Sequence, residues 1–291
     1  MVARRGVTAG RVTLAMSALA ATLFGGTVFG NGAAWAKEPL PWQMWMQPAS
    51  SPIAQQMHDF HTLLMVIIVA ITLFVAGLLG WVMIRYNARA NPVPSKTSHN
   101  TMVEIAWTII PILILLVIAI PSFRLLYDQE RAPEDSMVVK VIGHQWYWSY
   151  EYPDEEGLAF DSYMIQDADL KPEEGHRRLL SVDNPLVVPV GTNVRVQITS
   201  TDVIHSWLMP GFGVQRYAMP GRVNEQWFRV DEPGTYYGQC NQICGFYHAY
   251  MPIEVRVLSA EDYAAWLAGA KEQFAKDSNT RTRVARAEAL N

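Results

Sequence analysis

Two long apolar segments determine the organisation of the first half of the chain. Residues 63–84 contain no charged side chain, and residues 105–123 form a second such run. Each run is long enough to cross a bilayer as a helix. Pro111 and Pro121 do not argue against this, because membrane helices tolerate proline. The pattern therefore predicts a transmembrane hairpin of two helices over residues 63–126.

The charges between these runs predict their orientation. Arg85, Arg89 and Lys96 lie in the connecting segment, and no acidic residue follows them before Glu104. Loops rich in Lys and Arg stay on the cytoplasmic side of a membrane. The residues before and after the hairpin should therefore lie on the opposite, periplasmic side.

The first 36 residues have the pattern of an export signal. Three arginines precede an apolar stretch, which ends in A-W-A at residues 34–36. A basic start, a short apolar region and an A-x-A site are typical of a cleaved signal peptide. A further transmembrane helix is the alternative, but four glycines interrupt the stretch. We predict a cleaved signal peptide over residues 1–36 and a periplasmic segment over residues 37–62.

Beyond the hairpin, hydrophobic residues occur in short runs typical of β-strands. Examples are V-V-K-V-I-G at residues 138–143 and N-V-R-V-Q-I-T at residues 193–199, and turn signals such as E-P-G separate the runs. This spacing predicts a β-sandwich or barrel over residues 127–258. Residues 259–291 should form a helix to about residue 275, with Ser259 as its N-cap, and then a loose tail. The predicted fold class is an α+β membrane protein.

Charge is distributed unevenly along the chain. The 291 residues have a formal net charge of −4, yet residues 128–258 contain 19 Asp and Glu against 10 Lys and Arg, a net charge of −9. An acidic domain suits a basic protein partner, although a net charge of this size also serves solubility. No nucleic acid is expected as a partner.

The most informative chemistry lies in C-N-Q-I-C-G-F-Y-H-A-Y-M at residues 240–251. Two thiols, an imidazole and a thioether occur within twelve residues, and a second imidazole lies upstream in D-V-I-H-S-W. Cys, His and Met form the soft ligand set that suits copper. Two thiolates four residues apart can bridge two copper ions and leave one imidazole for each. The candidate ligands are His205, Cys240, the backbone carbonyl of Gln242, Cys244, His248 and Met251.

Two other interpretations of this cluster compete with copper. Cys240 and Cys244 are the only cysteines of the chain, and such a pair often forms a disulfide in an oxidising compartment. A disulfide, however, has no use for the neighbouring His and Met. Cys₂His₂ is also a zinc set, but Met251 is a poor zinc ligand. A copper pair that shares one electron suits electron transfer and leaves no open position for a substrate.

These residues resemble subunit II of haem-copper cytochrome c oxidases of the bacterial aa3 type. The resemblance covers roughly residues 50–258 and implies a cupredoxin-like domain whose six candidate ligands hold a binuclear copper A centre. The motifs that carry it are G-H-Q-W-Y-W-S-Y-E-Y (143–152), F-D-S-Y-M-I (160–165), D-V-I-H-S-W (202–207), M-P-G-R (219–222) and Y-Y-G-Q-C-N-Q-I-C-G-F-Y-H-A-Y-M-P (236–252).

The resemblance also implies the function and the partners. Subunit II of these enzymes accepts electrons from cytochrome c and passes them to haem in subunit I, where oxygen is reduced to water and protons are pumped. The expected partners are subunit I with its haems and second copper, subunit III, cytochrome c and membrane lipid. The expected location is a bacterial inner membrane, with the copper domain in the periplasm.

Further residues take roles from the resemblance. Trp146 matches the family's exposed tryptophan at which electrons are accepted, and Glu104 matches a carboxylate at the mouth of a proton pathway into subunit I. Taken alone, Trp146 could be a core residue, and Glu104 could start its helix through the helix dipole. Acidic residues close to Trp146 or to His205 in the sequence are expected to form a docking rim for cytochrome c: Glu151, Glu155, Glu156 and Asp202.

The chain departs from the family at two positions. Most relatives have Glu in place of Gln242, and that carboxylate also binds a magnesium ion at the boundary with subunit I. A neutral amide oxygen is a weaker ligand for a hard cation than a carboxylate, which argues against magnesium here. Tyr217 likewise stands where family members often have Asp.

Other functions fit the sequence less well. A quinol-oxidase-type subunit II lacks the copper ligands, whereas all six positions are intact here. A periplasmic copper-binding carrier must release its metal, which two bridging thiolates and a membrane anchor do not favour. A fused cytochrome c domain needs C-x-x-C-H, which this chain lacks, so the electron donor should be a separate protein. The subunit alone is not expected to reduce oxygen.

Overall fold

Helices at both ends flank a β domain in the computed structural model, which describes residues 38–40, 42–155 and 157–288, with side chains described as far as residue 274. The predicted signal peptide lies outside these residues. The helices are α1 (Pro52–Arg85), α2 (Thr101–Glu130) and α3 (Ala260–Glu288), and the strands are β1 (Met137–His144), β2 (Tyr147–Tyr152), β3 (Leu158–Ser162), β4 (Leu186–Pro189), β5 (Asn193–Ser200), β6 (His205–Met209), β7 (Val214–Ala218), β8 (Asn224–Arg229), β9 (Gly234–Cys240) and β10 (Pro252–Leu258).

Helices α1 and α2 are longer than the apolar runs because polar caps lie outside those runs. Ser51 accepts a hydrogen bond from the backbone N–H of Ala54 at 3.0 Å, and Pro52 occupies the first helical position, where proline is favoured. At the start of α2 the side chain of Asn100 accepts from the next turn, and Glu104 accepts the Asn100 N–H at 3.2 Å. Both helices are long and apolar enough to cross a membrane.

The β domain is a sandwich of two five-stranded sheets within the described residues. Their strand orders are β3-β2-β1-β5-β8 and β4-β10-β9-β6-β7. Along β2 and β5 every second side chain is buried, as expected where one face of a sheet covers a core. Trp148 and Trp207 are fully buried in that core, one from each sheet. The predicted β-sandwich is confirmed.

The start of α1 and the end of α2 are both fixed to the β domain by hydrogen bonds and an ion pair. The hydroxyl of Ser51 donates to the carbonyl of Phe212 at 2.7 Å. The indole N–H of Trp227 on β8 donates to the carbonyl of Asp128 at 2.8 Å. Glu130, the last residue of α2, forms an ion pair with Arg216 on β7. These contacts set the position of the domain relative to the start of α1 and the end of α2.

Helix α3 closes the sandwich at the edge where β3 and β4 lie. The ring of Trp266 lies 5.7 Å from that of Tyr152, and Phe274 stacks on Phe160 with ring centroids 4.7 Å apart. The predicted loose tail after residue 275 was wrong, because the helix continues to Glu288. Residues 271–288 contain neither Gly nor Pro, so no residue that ends a helix occurs there.

Candidate metal centre

Strand pairing brings the two distant parts of the candidate site together. β6 begins at His205, and β9 ends at Cys240. The two strands pair antiparallel with Trp207 opposite Cys240, which leaves His205 beside the end of β9. Residues 241–251 then form the loop between β9 and β10, as the sequence predicted. The ligand loop, defined here as residues 240–251, therefore lies at one end of the sandwich.

The six predicted ligand groups form one connected cluster. Neighbouring donor atoms in this cluster lie within 4 Å of one another. The distances are 3.9 Å from His205 Nδ1 to Cys240 Sγ, 3.9 Å from Cys240 Sγ to Cys244 Sγ, 3.4 Å from Cys240 Sγ to the Gln242 carbonyl oxygen, 3.5 Å from Cys244 Sγ to His248 Nδ1 and 3.6 Å from Cys244 Sγ to Met251 Sδ.

The chemistry of this cluster fits copper. His205, Cys240, Cys244 and Met251 are all buried, so the donor atoms are shielded from water. Both cysteines are free thiols, and their separation of 3.9 Å is nearly twice the disulfide bond length of about 2.05 Å. Buried thiolate, imidazole and thioether groups select soft metals and exclude magnesium and calcium.

The two thiols differ in acidity. Burial raises the pKa of Cys240, but hydrogen bonds from His205 and with the backbone of Ser206 and Gln242 outweigh burial and hold that pKa below its usual value. Burial and the neighbouring Cys240 raise the pKa of Cys244 to about 12. Metal binding at this site must therefore displace the proton of Cys244.

Asp202 orients the candidate ligand His205. Its Oδ1 lies 2.9 Å from His205 Nε2, which leaves Nδ1 directed at Cys240. The same carboxylate accepts the backbone N–H groups of Val203 and Gln145, each at 2.6 Å. Burial raises the pKa of Asp202, but these hydrogen bonds lower it further than burial raises it. A carboxylate that fixes the ring of a ligating histidine also strengthens it as a ligand.

Trp146 lies against the ligand loop. It is half-buried, and its indole N–H donates to the carbonyl of Cys244 at 3.3 Å. Its ring meets that of Tyr247 edge-on at 5.1 Å. The predicted role of Trp146 requires an indole next to a ligand and accessible to a partner, and this position meets both conditions.

Comparisons with known proteins give the family. Residues 137–258 match the family model of the periplasmic domain of cytochrome c oxidase subunit II, and residues 39–125 match the model of its transmembrane domain. The chain belongs to the cytochrome c oxidase subunit II family. It is therefore a component of a cytochrome c oxidase, the one at which electrons are accepted, and the predicted hairpin and cupredoxin-like domain are confirmed.

Two relatives in sequence agree with this assignment, and one solved structure is similar to part of the chain. The chain is 53% identical over 234 residues to a probable cytochrome c oxidase subunit 2 of Rickettsia conorii, covering 80% of this chain and 74% of that protein. It is 46% identical over 249 residues to the cytochrome c oxidase subunit 2 of Cereibacter sphaeroides, covering 80% and 82%. The periplasmic domain of subunit II from Bradyrhizobium japonicum is 47% identical, with 50% of this chain and 99% of that chain covered and a TM-score of 0.46.

The predicted docking rim of this subunit II is not brought together around Trp146. Glu151, on β2, forms an ion pair of 2.9 Å with Lys140 on β1. It lies four residues beyond Tyr147, and because a strand rises ~3.3 Å per residue, this places it roughly 13 Å along the strand from Tyr147. Glu155 lies beyond the end of β2 and pairs with Lys271 at 2.7 Å. Strand β2 runs away from the turn that holds Trp146, which is why nearness in sequence misled the prediction.

The other two members of the rim have different outcomes. Asp202 is exposed and accepts the backbone N–H of Gln145, the residue before Trp146, while its carboxylate also bonds His205. Glu156 lies outside the described residues. The docking role of Asp202 and Glu156 therefore stays a prediction.

Glu104 has the structural role that the sequence offered as its alternative. Its carboxylate accepts the Asn100 N–H and so caps the first turn of α2. It also lines an open groove of about 290 Å³ along the helix together with Thr101 and Thr108. The described residues that line this groove all belong to α2, and the proton-pathway role stays a prediction.

The two positions that bear on a magnesium site, Gln242 and Tyr217, are linked through strand β6. Tyr217 on β7 lies opposite Ser206 on β6, and the Ser206 carbonyl accepts the N–H of Asn241, next to Gln242. Ser206 therefore lies between Tyr217 and the start of the segment that holds Gln242, and the expected lack of magnesium stays a prediction. Among the described residues, the His, Cys, Asp and Glu side chains that cluster closely enough for a metal are His205, Cys240 and Cys244.

Four residues that surround or support the candidate ligands were missed by the sequence analysis. Trp148 donates its indole N–H to the Met251 carbonyl at 3.2 Å and meets the ring of His205 edge-on at 5.9 Å. A Cβ on Gly143 would lie 2.8 Å from His205 Cδ2, so only glycine fits beneath that ring. The others are Gln145 and Gly245. The first three lie in G-H-Q-W-Y-W and Gly245 in the ligand loop, so the motifs were the available signal.

Proposed function

We propose that this chain accepts electrons from a cytochrome c at a binuclear copper centre and passes them to haem in subunit I of the oxidase. The observation that carries the proposal is the cluster of six donor groups built around the two free thiols, in which His205, Cys240, Cys244 and Met251 are buried. A copper pair held by these residues would supply one-electron chemistry. The protein contributes a rigid, water-excluding frame for it.

The frame has identifiable parts. The register of β6 and β9 holds His205 beside Cys240 before any metal binds. Asp202 sets the ring orientation of His205, and the Trp148 indole fixes the carbonyl of Met251. Because these groups are held by the fold, they need little rearrangement when the charge of the site changes. Low rearrangement is what a site specialised for electron transfer requires.

The surroundings of the centre follow from the same proposal. We place the chain in a bacterial inner membrane, with the β domain in the periplasm and the α1–α2 connection, which carries Arg85, Arg89 and Lys96, in the cytoplasm. Residues 63–126 form the membrane anchor, residues 127–258 the copper domain and residues 37–62 the segment before them. Subunit I, with its haems and second copper, subunit III and lipid cover the exposed apolar faces of α1 and α2.

The surface around Trp146 suits an apolar contact with the electron donor. Ile243, Phe246 and Tyr247 on the ligand loop are 82%, 86% and 50% exposed, and Tyr247 touches Trp146. The net charge of −9 over residues 128–258 adds a long-range attraction for a basic cytochrome c. Such charges mainly raise the association rate, and the apolar patch then holds the complex.

The test of the proposal is an electron paramagnetic resonance spectrum of the purified, oxidised enzyme. One unpaired electron shared equally by two copper nuclei gives a seven-line hyperfine pattern, whereas a single copper gives four lines. We expect seven lines. A four-line pattern, or a disulfide between Cys240 and Cys244 in the active enzyme, contradicts the proposal.

Replacing Trp146 by Phe should slow electron transfer within the complex while leaving docking unchanged. The change removes the indole N–H bond to the Cys244 carbonyl but keeps an aromatic ring beside Tyr247. A roughly ten-fold lower rate corresponds to ~1.4 kcal/mol of barrier. Stopped-flow mixing with reduced cytochrome c over a series of salt concentrations separates the two steps, because only association depends on salt.

A matched control for that variant exists at the opposite end of the domain. Trp227 is also half-buried and also donates its indole N–H to a backbone carbonyl, that of Asp128. Trp227→Phe should leave both steps at the parent's rates. A Trp146→Phe enzyme with slower association and an unchanged internal rate would assign Trp146 to docking instead.

Replacing Gln242 by Glu should increase retention of magnesium or manganese in the assembled enzyme. The copper site should be unaffected, because it involves only the backbone carbonyl of this residue. A carboxylate restores the charge that a hard cation prefers. Metal analysis after dialysis against a chelator measures the effect, with Gln239→Glu, an exposed position on β9, as the control for added charge. Equal retention by the parent and Gln242→Glu contradicts this expectation.

A further inference from the structure

We infer that Gln145 is a positioning residue of the metal centre, which joins the turn that carries Trp146 to ligands on two separate parts of the chain. The inference rests on the proposed function, since it concerns how the copper ligands and Trp146 are held together. Gln145 itself touches no ligand side chain and is exposed. Its effect is exerted through the backbone of Cys244 and through Asp202.

The first connection runs from Gln145 to His205. The backbone N–H of Gln145 donates to Asp202 Oδ2 at 2.6 Å. The other oxygen of the same carboxylate lies 2.9 Å from His205 Nε2. A shift of the β1–β2 turn would therefore move the carboxylate that fixes the ring of His205. This connection uses only the backbone of Gln145 and survives any substitution except proline.

The second connection runs from Gln145 to Cys244. The side-chain amide of Gln145 donates to the carbonyl of Cys244 at 2.8 Å, and the indole of Trp146 donates to the same oxygen at 3.3 Å. A carbonyl oxygen has two lone pairs and can accept both donors. The shorter bond is the stronger one, so the Gln145 amide is the main restraint on this peptide group.

Gly245 makes this convergence possible. A Cβ at that position would lie 3.0 Å from the Gln145 amide nitrogen and 3.0 Å from Cζ2 of Trp146. The φ of Gly245 is +124°, in the region that favours glycine. The ligand loop therefore has no side chain at the point where both donors approach. The exposed Gln145 therefore connects three parts of the molecule by hydrogen bonds: the β1–β2 turn, the residues before β6 and the ligand loop.

Two consequences follow for electron transfer. The Gln145 amide donates a hydrogen bond to the backbone carbonyl of Cys244, a candidate thiolate ligand. Hydrogen bonds to the groups that hold a metal tune the electron affinity of the centre. The amide also holds the peptide to which the Trp146 indole is attached, so its loss should loosen the contact between Trp146 and the ligand loop. Gln145 should therefore affect both the reduction equilibrium of the centre and the rate of the internal electron-transfer step.

The test uses Gln145→Met in the complete oxidase. Methionine has a similar length but no donor, and the backbone N–H to Asp202 stays in place. We expect two coppers and seven hyperfine lines, an equilibrium constant for reduction that is about three-fold lower, and internal electron transfer that is about five-fold slower. Association with cytochrome c should be unchanged. Gln145→Glu, which has the same size but presents acceptor oxygens to a carbonyl, should shift both quantities further.

The control is Gln166→Met, because Gln166 also donates its amide to a backbone carbonyl, that of Met164, in an exposed segment. It should match the parent in potential, spectrum and rates. If Gln145→Met also matches the parent, or if Gln145→Glu behaves as the parent does, the inference is overturned. Slower association alone overturns it too, since Gln145 would then be a docking contact. A parent enzyme without the seven-line spectrum overturns the proposed function instead, which keeps the two failures distinguishable.

Discussion

Replacing either Cys240 or Cys244 by Ser should abolish the binuclear centre and with it the oxidation of cytochrome c. Both sulfur atoms are needed because each lies in contact with donors that the other does not reach: Cys240 with His205, and Cys244 with His248 and Met251. A serine hydroxyl is a hard, weakly acidic donor that does not replace a thiolate towards copper. We expect the seven-line spectrum to disappear and the copper content of this subunit to fall below two.

Met251→Leu should have a milder effect on the centre than either cysteine variant. A thioether is a weak axial ligand, which tunes a copper site more than it holds it. The leucine side chain fills much of the same buried volume, so the variant should keep two coppers and the seven-line pattern with an altered potential. Copper analysis and the spectrum of all three enzymes test this order. A Cys→Ser variant that retains both coppers and the mixed-valence signal contradicts the ligand assignment.

Parts of the fold that depend on local pattern could be predicted from the sequence. The uncharged runs at residues 63–84 and 105–123 form the middles of α1 and α2, and the alternating runs form strands. The helix ends were not predicted, because they depend on Ser51 and Asn100, whose capping bonds lie outside the apolar runs. Helix α3 was predicted too short because polarity was taken as a sign of a tail.

The ligands of the site could be predicted because their chemistry is concentrated in one loop. Two thiols, an imidazole and a thioether in twelve residues point to a soft metal without any knowledge of the fold. The support of the site could not be predicted in this way. The contacts of Asp202, Gln145 and Trp148 with the ligands depend on strand register and on which way a hairpin turns. The position of Glu151 could not be predicted for the same reason, since β2 leads it away from Trp146.

The second large effect is expected from Gly238→Ala, which tests how the fold forms the site. A Cβ on Gly238 would overlap the carbonyl oxygen of Leu208 and lie 2.5 Å from Met209 Sδ. The obstacle is space on the neighbouring strand β6, since the backbone of Gly238 has no positive φ that would exclude alanine. Because a backbone carbonyl cannot move aside as a flexible side chain can, β6 and β9 must separate.

Separation of these strands acts directly on the ligands. His205 begins β6 and Cys240 ends β9, two residues after Gly238, so the added methyl should pull the imidazole away from the thiol. Overpacking of this kind costs roughly 1–3 kcal/mol of folding free energy. We expect a lower midpoint for thermal loss of the copper absorbance in the purified enzyme, and weaker copper retention against a chelator.

The control is Gly269→Ala in α3, where a Cβ meets no atom within 4 Å. Alanine is favoured over glycine in a helix by about 1 kcal/mol, so this variant should keep or raise the midpoint and leave copper retention unchanged. Comparing the two variants separates the general effect of replacing a glycine from the steric overlap that is specific to Gly238. If Gly238→Ala matches Gly269→Ala in both measurements, the close approach of β6 and β9 does not hold the two ligand groups together, and the ligand loop alone must organise the centre.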